Sequence, residues 1–174
     1  MSAQKKAGAL HLLAGGAAAL WLTLTGCTPE PAQVRRTDAG GAPEPAVRKL
    51  VITRAPGGDA ARVIKSATAQ AQADHRRLLV YIGAVWCEPC QRFHRAAERG
   101  ELDSHFPDVT LLEFDLDADG SRLTPAGYHP PFIPYFGVPD ESGRATSAGM
   151  SGSIKGDGAV ENIVPRLNEL LGRK

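Results

Sequence analysis

Two cysteines separated by two residues are the side chains of this sequence best suited to chemistry. Cys87 and Cys90 enclose Glu88 and Pro89, and this spacing lets the two sulfur atoms come within bonding distance of each other. Such a pair can alternate between dithiol and disulfide, or it can supply half of a zinc site. The surrounding sequence must decide between these two uses.

The pair follows a predicted strand and opens a predicted helix. Leu78 to Ile82 is a continuous apolar, β-prone run, and residues 88–99 have a helical pattern. A cysteine at a helix N-terminus faces unpaired backbone N–H groups and the positive end of the helix dipole, which favour the thiolate. Pro89 suits the first helical turn. We therefore expect Cys87 to attack, and the more buried Cys90 to resolve the mixed disulfide.

A metal site would need two further ligands besides these thiols. His94 lies four residues after Cys90, on the same face of the predicted helix, and His129 lies in a loop before a later strand. Tetrahedral zinc with two histidines is possible in principle. The isolated pair favours a redox site with no metal, and a copper-binding protein that uses Cys87, Cys90 and one of these histidines stays an alternative.

The first part of the chain predicts export and anchoring. Residues 1–26 combine a basic start, an apolar stretch and small residues, as a secretory signal does. Leu24-Thr25-Gly26-Cys27 resembles the bacterial lipoprotein box, which implies that Cys27 is lipidated after removal of residues 1–26. Several acyl chains would hold the protein stably on a bilayer. The expected location is the bacterial cell envelope, facing the periplasm or the exterior.

The rest of the chain predicts a linker and one α/β domain. Residues 27–48 contain the lipidated cysteine and a flexible segment rich in proline and glycine. Residues 49–174 predict strands at 50–52, 78–82, 109–114, 132–138 and 144–150, and helices at 60–73, 88–99 and 159–171. Residues 115–127 predict a loop with room for a short helical turn. The alternation predicts a central mixed sheet flanked by helices.

The pattern as a whole resembles the thioredoxin superfamily. The resemblance rests on Trp86-Cys87-Glu88-Pro89-Cys90 after a buried strand and on Ile133-Pro134 before a later one. It implies a thioredoxin-like fold and thiol–disulfide oxidoreductase activity, with Trp86, Glu88 and Pro89 supporting the two cysteines. It also implies that Pro134 is cis and lies against the disulfide, and that the backbone of Ile133 pairs with an extended protein substrate.

The residues between the cysteines favour reduction of protein disulfides. A histidine there would make the site more oxidising, and Glu88 should do the reverse. The chain has no nicotinamide or flavin signature, so the redox-active disulfide needs no further cofactor and electrons would come from a membrane donor. An oxidase or isomerase is the alternative, and a docking protein is another.

Two further features limit the function. The family places a buried aspartate six residues before the first cysteine, where this chain has Tyr81; a tyrosine is a poor proton acceptor near neutral pH. Glu88 is the nearest replacement, although we expect it to face solvent, so the proton acceptor for Cys90 is unassigned. The net charge of +1 argues against binding of nucleic acid.

Overall fold

A mixed sheet of five strands forms the centre of the domain, in the order β1-β3-β2-β4-β5. The computed structural model describes residues 48–173. The predicted leader, Cys27 and the linker up to residue 47 lie outside the described residues. Within the part that is described, no helix has both the length and the apolar character needed to cross a membrane.

The elements follow the predicted order, with one addition. The strands are β1 (Val51–Arg54), β2 (Arg77–Gly83), β3 (Val109–Asp115), β4 (Tyr135–Pro139) and β5 (Ala145–Ser151), and the helices are α1 (Ala60–Ala73), α2 (Glu88–Glu98), α3 (Leu116–Leu123) and α4 (Ala159–Leu170). Strand β3 pairs in parallel with β1 and β2. Strand β4 pairs antiparallel with both β2 and β5. The predicted mixed sheet is confirmed.

Alternation of side chains along β2 divides the core into two clusters. Leu79 and Tyr81 contribute to the cluster that α2 and α4 cover. Leu78, Val80 and Ile82 contribute to the cluster that α1 covers. Because successive strand residues point to opposite faces, a central strand buried on both faces reads as one continuous apolar run. This burial holds the end of β2, and therefore the cysteine pair, on a rigid support.

The prediction of a loop with a short helical turn over residues 115–127 underestimates the helix, because α3 occupies most of this segment and a short 3-10 turn follows at Thr124–Ala126. The acidic run that suggested a turn begins the helix: the Asp115 carboxylate accepts hydrogen bonds from the backbone N–H groups of Asp117 and Ala118. The strand predicted to begin at residue 132 begins at Tyr135, so the segment before it is irregular and can border the site.

Candidate active site

Cys87 and Cys90 form a disulfide at the start of α2. Their Cα atoms are 5.2 Å apart. Cys87 is the N-cap residue, and its sulfur accepts a hydrogen bond from the backbone N–H of Cys90 at 3.3 Å. The same N–H can stabilise a Cys87 thiolate once the disulfide is reduced. Pro89 lies in the first helical turn, as predicted.

The two cysteines face separate openings in the surface. Cys87 lines a groove of about 560 Å³ together with Trp86, Phe132, Ile133 and Ile154, which we call the Cys87 groove. Cys90 lines a different cavity, described below, and the two cavities share no residue. Both cysteines are buried in the disulfide form, at 4% and 2% exposure, so the expected difference in burial is small. The two sulfur atoms therefore differ mainly in the cavity that each one faces and only slightly in their exposed fraction.

Apolar side chains surround the Cys87 groove without being covered. Trp86, Phe132 and Ile154 are 60%, 70% and 54% exposed. The Trp86 indole N–H donates to the Asp117 carboxylate at 2.7 Å, which fixes the ring beside Cys87. Sequence reasoning missed Phe132, Ile154 and Asp117, because their neighbourhood depends on the positions of the loop before β4, the loop after β5 and α3. Exposed aromatic and aliphatic side chains suit contact with apolar parts of a polypeptide.

The peptide bond between Ile133 and Pro134 is cis, as the resemblance implies. No other cis bond occurs among residues 48–173, which excludes Pro130 and Pro131 as the cis residue. Ile133 packs against the small cluster formed by Ala84, Cys87 and Cys90. Pro134 is buried immediately before β4. The loop therefore borders the disulfide on the side of the Cys87 groove.

Glu88 does not extend freely into solvent, contrary to the expectation. Its carboxylate pairs with Arg92, one turn further along α2, and accepts a hydrogen bond from the Gly156 N–H at 3.2 Å. Arg92 also pairs with Asp157 at 2.6 Å. The hydrogen bond from Arg92 is the main reason that the pKa of Glu88 is lowered, with a further contribution from Gly156. Glu88 therefore stays charged beside Cys87 and connects α2 to the loop after β5.

A second cavity, of about 400 Å³, lies beside Cys90 and is lined by Tyr81, Gly83, His94 and Glu113 among others. We call it the Cys90 cleft. The His94 Nε2 atom and the Glu113 carboxylate lie 2.8 Å apart. Glu113 is paired with Tyr81 in the β2–β3 register, which brings helix α2 and two strands together at this point.

The hydroxyl of Tyr81 is the one buried side-chain polar atom among residues 48–173 that has no hydrogen-bond partner. Burial, and to a smaller extent the charge of Glu113, raises the pKa of Tyr81 far above its ordinary value. The hydroxyl is therefore a permanent donor and never a base at physiological pH. This agrees with the sequence argument that Tyr81 cannot take the place of a carboxylate.

The two histidines considered as metal ligands are far from equivalent. His94 lines the Cys90 cleft and is already engaged by Glu113, whereas His129 is exposed in the loop before the cis-proline. Within residues 48–173, no group of three or more His, Cys, Asp or Glu side chains is arranged to hold a metal ion.

Comparison with known proteins gives one family match and a small set of similar solved structures. Residues 59–105 match the family described as thioredoxin-like, a segment that runs from α1 through the cysteine pair and beyond α2. No curated protein matches the chain. Thioredoxin O1 from Arabidopsis thaliana, solved in its oxidised state, is 19% identical, with a TM-score of 0.43, over 71% of this chain and 96% of that one. Thioredoxin O2 from the same plant is 20% identical, with a TM-score of 0.38, over 71% and 95%. The match of residues 59–105, the mixed five-stranded sheet and the disulfide at the start of α2 give this chain a thioredoxin-like fold with a redox-capable cysteine pair, an arrangement that supports thiol–disulfide oxidoreductase activity.

Proposed function

We propose that this protein is a lipid-anchored reductase of disulfides in proteins of the bacterial cell envelope. The observation that carries the proposal is the position of Cys87, which caps α2 and lines a groove bordered by exposed apolar side chains next to the cis-proline loop. An extended polypeptide in that groove would present its own disulfide to the Cys87 sulfur. The backbone of Ile133 is the edge with which such a strand would pair, and Pro134 would lie against the disulfide.

The reaction needs only the two cysteines and a disulfide substrate. The Cys87 thiolate attacks one substrate sulfur, the substrate S–S bond breaks, and the other substrate sulfur leaves as a thiolate. Cys90 then attacks Cys87, which forms the Cys87–Cys90 disulfide and releases the first substrate sulfur. The substrate gains two electrons and the protein loses two. A membrane donor of electrons would return the protein to the dithiol form.

The reductive direction rests on Glu88. Its carboxylate stays charged in the structure. Arg92 offsets part of this charge, and the remainder, next to Cys87, opposes a second negative charge on the thiolate. A thiolate that is less stable makes the reduced form less stable and the pair more reducing. No basic side chain stands between the cysteines to produce the opposite effect.

The redox potential of the Cys87–Cys90 pair tests the direction. We expect equilibration with a dithiol buffer to give a value near that of thioredoxin, about −270 mV, and far from the value of a strong oxidant, about −120 mV. A value at the oxidising end would favour the oxidase or isomerase alternative. Binding of copper by the reduced protein that is lost in His94→Gln or His129→Gln would favour the copper alternative.

Substrates and anchoring are tested on the full chain in a bacterial membrane. Cys90→Ala should accumulate mixed disulfides between Cys87 and envelope proteins, while the matched variant with both cysteines changed to alanine should accumulate none. Cys27→Ser should release the protein from the membrane, because acylation at that position supplies the anchor. A full chain that traps nothing, or a Cys27 variant that stays anchored, would contradict the corresponding part of the proposal.

A further inference from the structure

The Cys90 thiol must lose a proton before it can resolve a mixed disulfide, because only the thiolate is nucleophilic. Cys90 is 2% exposed, and it lines the Cys90 cleft rather than the Cys87 groove. A substrate bound in the groove would cover the sulfur of Cys87, and the proton of Cys90 would have to leave by the other opening. The groups that line the cleft therefore decide where this proton goes.

His94 and Glu113 have the geometry of an acid–base pair in this cleft. His94 lies one helical turn after Cys90 on α2, so both side chains project from the same face. Its Nε2 atom is 2.8 Å from the Glu113 carboxylate. This partner makes Nε2 the N–H donor in neutral imidazole and leaves Nδ1 as the proton acceptor. Both side chains are about one quarter exposed, so a proton taken up here can pass on to water.

The Tyr81 hydroxyl is a hydrogen-bond donor next to the Cys90 sulfur. Its hydroxyl oxygen has no partner in the disulfide form, and a buried group of this kind calls for an explanation. A methyl group built on Gly83 would lie 2.9 Å from this oxygen and 3.5 Å from the Cys90 sulfur. The oxygen and the sulfur thus border the same small space, which exists because residue 83 has no side chain. When the disulfide opens, Cys90 is the natural acceptor for this hydroxyl.

We infer that His94, held by Glu113, takes the proton of the Cys90 thiol through the Cys90 cleft, and that the Tyr81 hydroxyl donates a hydrogen bond to the resulting thiolate. The Cys90 thiolate then attacks the Cys87 sulfur. The Cys87–Cys90 bond forms, the bond from Cys87 to the substrate breaks, and the leaving substrate sulfur carries away the electron pair and later takes a proton from solvent. The proton on His94 passes to water in the cleft.

The charged side chains that line the cleft are of both signs. Besides Glu113, the charged residues of the lining are Arg54 from β1, Arg95 and Glu98 from α2 and Asp115 from β3. The His94 and Tyr81 rings are 5.4 Å apart between centroids and tilted by 48°, so the two side chains are neighbours in the cleft. The raised pKa of Tyr81 keeps its hydroxyl protonated throughout the cycle, as the inferred role requires.

A two-phase reaction with a chromogenic aromatic disulfide tests this inference. Attack by Cys87 on the probe releases the first coloured thiol, and resolution by Cys90 releases the second. The wild-type and variant chains are fully reduced before the probe is added. Relative to the wild type, we expect His94→Gln to leave the rate of the first phase unchanged within about twofold. The rate of the second phase should fall by ~10-fold or more, since a positioned base contributes on this scale. Glu113→Gln should slow the second phase less. His105→Gln, an exposed histidine outside the cleft, should change neither.

Chemical rescue separates a base from a merely structural residue. In His94→Ala, added imidazole should restore the second phase, because the cleft has room for it, and it should not accelerate the wild type. The inference is overturned if His94→Gln leaves the second phase unchanged, or if it slows both phases equally and lowers the unfolding midpoint. It is also overturned if imidazole has no effect on His94→Ala.

The inference depends on thiol–disulfide exchange at this site but not on its direction. An oxidising potential would refute the proposed reductase, whereas the two-phase result would stand, because the same groups would return the proton to Cys90 when its disulfide is opened. A reducing potential together with an unaffected second phase would refute the role of His94 alone. The two outcomes are therefore distinguishable.

Discussion

Replacing Tyr81 with phenylalanine should stabilise the oxidised protein while it impairs its chemistry. The Tyr81 side chain is fully buried, and its oxygen has no hydrogen-bond partner. Desolvation of an unpaired hydroxyl costs about 1–3 kcal/mol, and Tyr81→Phe removes that cost. The ring keeps its contacts with Phe93 and Phe136, at 5.9 and 5.0 Å between centroids. We expect a gain of about 1–2 kcal/mol in the free energy of unfolding of the disulfide form.

The reduced protein should gain less, because there the hydroxyl finds a partner in Cys90. The difference between the two forms changes the redox equilibrium: each ~1.4 kcal/mol in favour of the disulfide makes the potential about 30 mV more negative. Tyr81→Phe should therefore shift the Cys87–Cys90 potential in the negative direction by an amount of this order.

Urea unfolding of the oxidised and reduced forms measures both effects, and a rise of about 3–6 °C in the melting temperature of the oxidised form should accompany them. Tyr128→Phe is the matched control, because the Tyr128 hydroxyl is buried but donates to the Gly143 carbonyl at 3.5 Å. That variant should lose stability. An oxidised Tyr81→Phe protein that is also less stable than wild type would mean that the hydroxyl is bonded, and the reasoning would fail.

Three further substitutions test the supports of the site. Gly83→Ala should lower the free energy of unfolding by about 1–3 kcal/mol, as measured by urea titration, because its methyl group would lie 2.9 Å from the Tyr81 oxygen; an unchanged midpoint would contradict the close approach. Asp119→Ala should lower the free energy of unfolding by about 2–4 kcal/mol, because this buried carboxylate pairs with Arg54 and Arg122 and accepts a hydrogen bond from the N–H of Asp115 at the end of β3. Glu88→Gln should make the potential less negative and remove an acid-side loss of stability. Arg92 lowers the pKa of the Glu88 carboxyl. The stability that this carboxylate contributes is therefore fully present above its ordinary pKa of 4.5 and is lost as the pH falls through the lowered pKa. The same pH dependence of the unfolding midpoint in wild type and Glu88→Gln would refute this.

The sequence was sufficient for the regular parts of the fold. The helix over 60–73 was predicted with the bounds that the structure has, because Asp59 caps it and its apolar face is periodic. The apolar run from Leu78 to Ile82 predicted the buried central strand. The prediction for residues 115–127 underestimated the helix because Asp, Gly and Ser are common in turns. The signal for α3 was available in Asp115 as an N-cap with acidic residues in the next turn.

The two cysteines and the cis-proline could be identified from short motifs, whereas the partners of Cys90 could not. His94 was noted for its spacing, yet its contact with Glu113 depends on how α2 packs over the sheet. Glu113 itself carried no signal, because it lies opposite Tyr81 only through the register of β2 and β3. Glu88 was expected to face solvent, because the loop that supplies Gly156 and Asp157 is far away in the sequence.

The separate openings for Cys87 and Cys90 allow the protein to bind a substrate at one opening while the other stays accessible to water. A tightly fitting polypeptide can seal the groove and shield the mixed disulfide from stray thiols, and acid–base exchange with bulk water continues undisturbed through the cleft. Because the groove and the cleft share no residue, substitutions in the groove would change which substrates bind without changing proton transfer. Substitutions in the cleft would change proton transfer without changing which substrates bind.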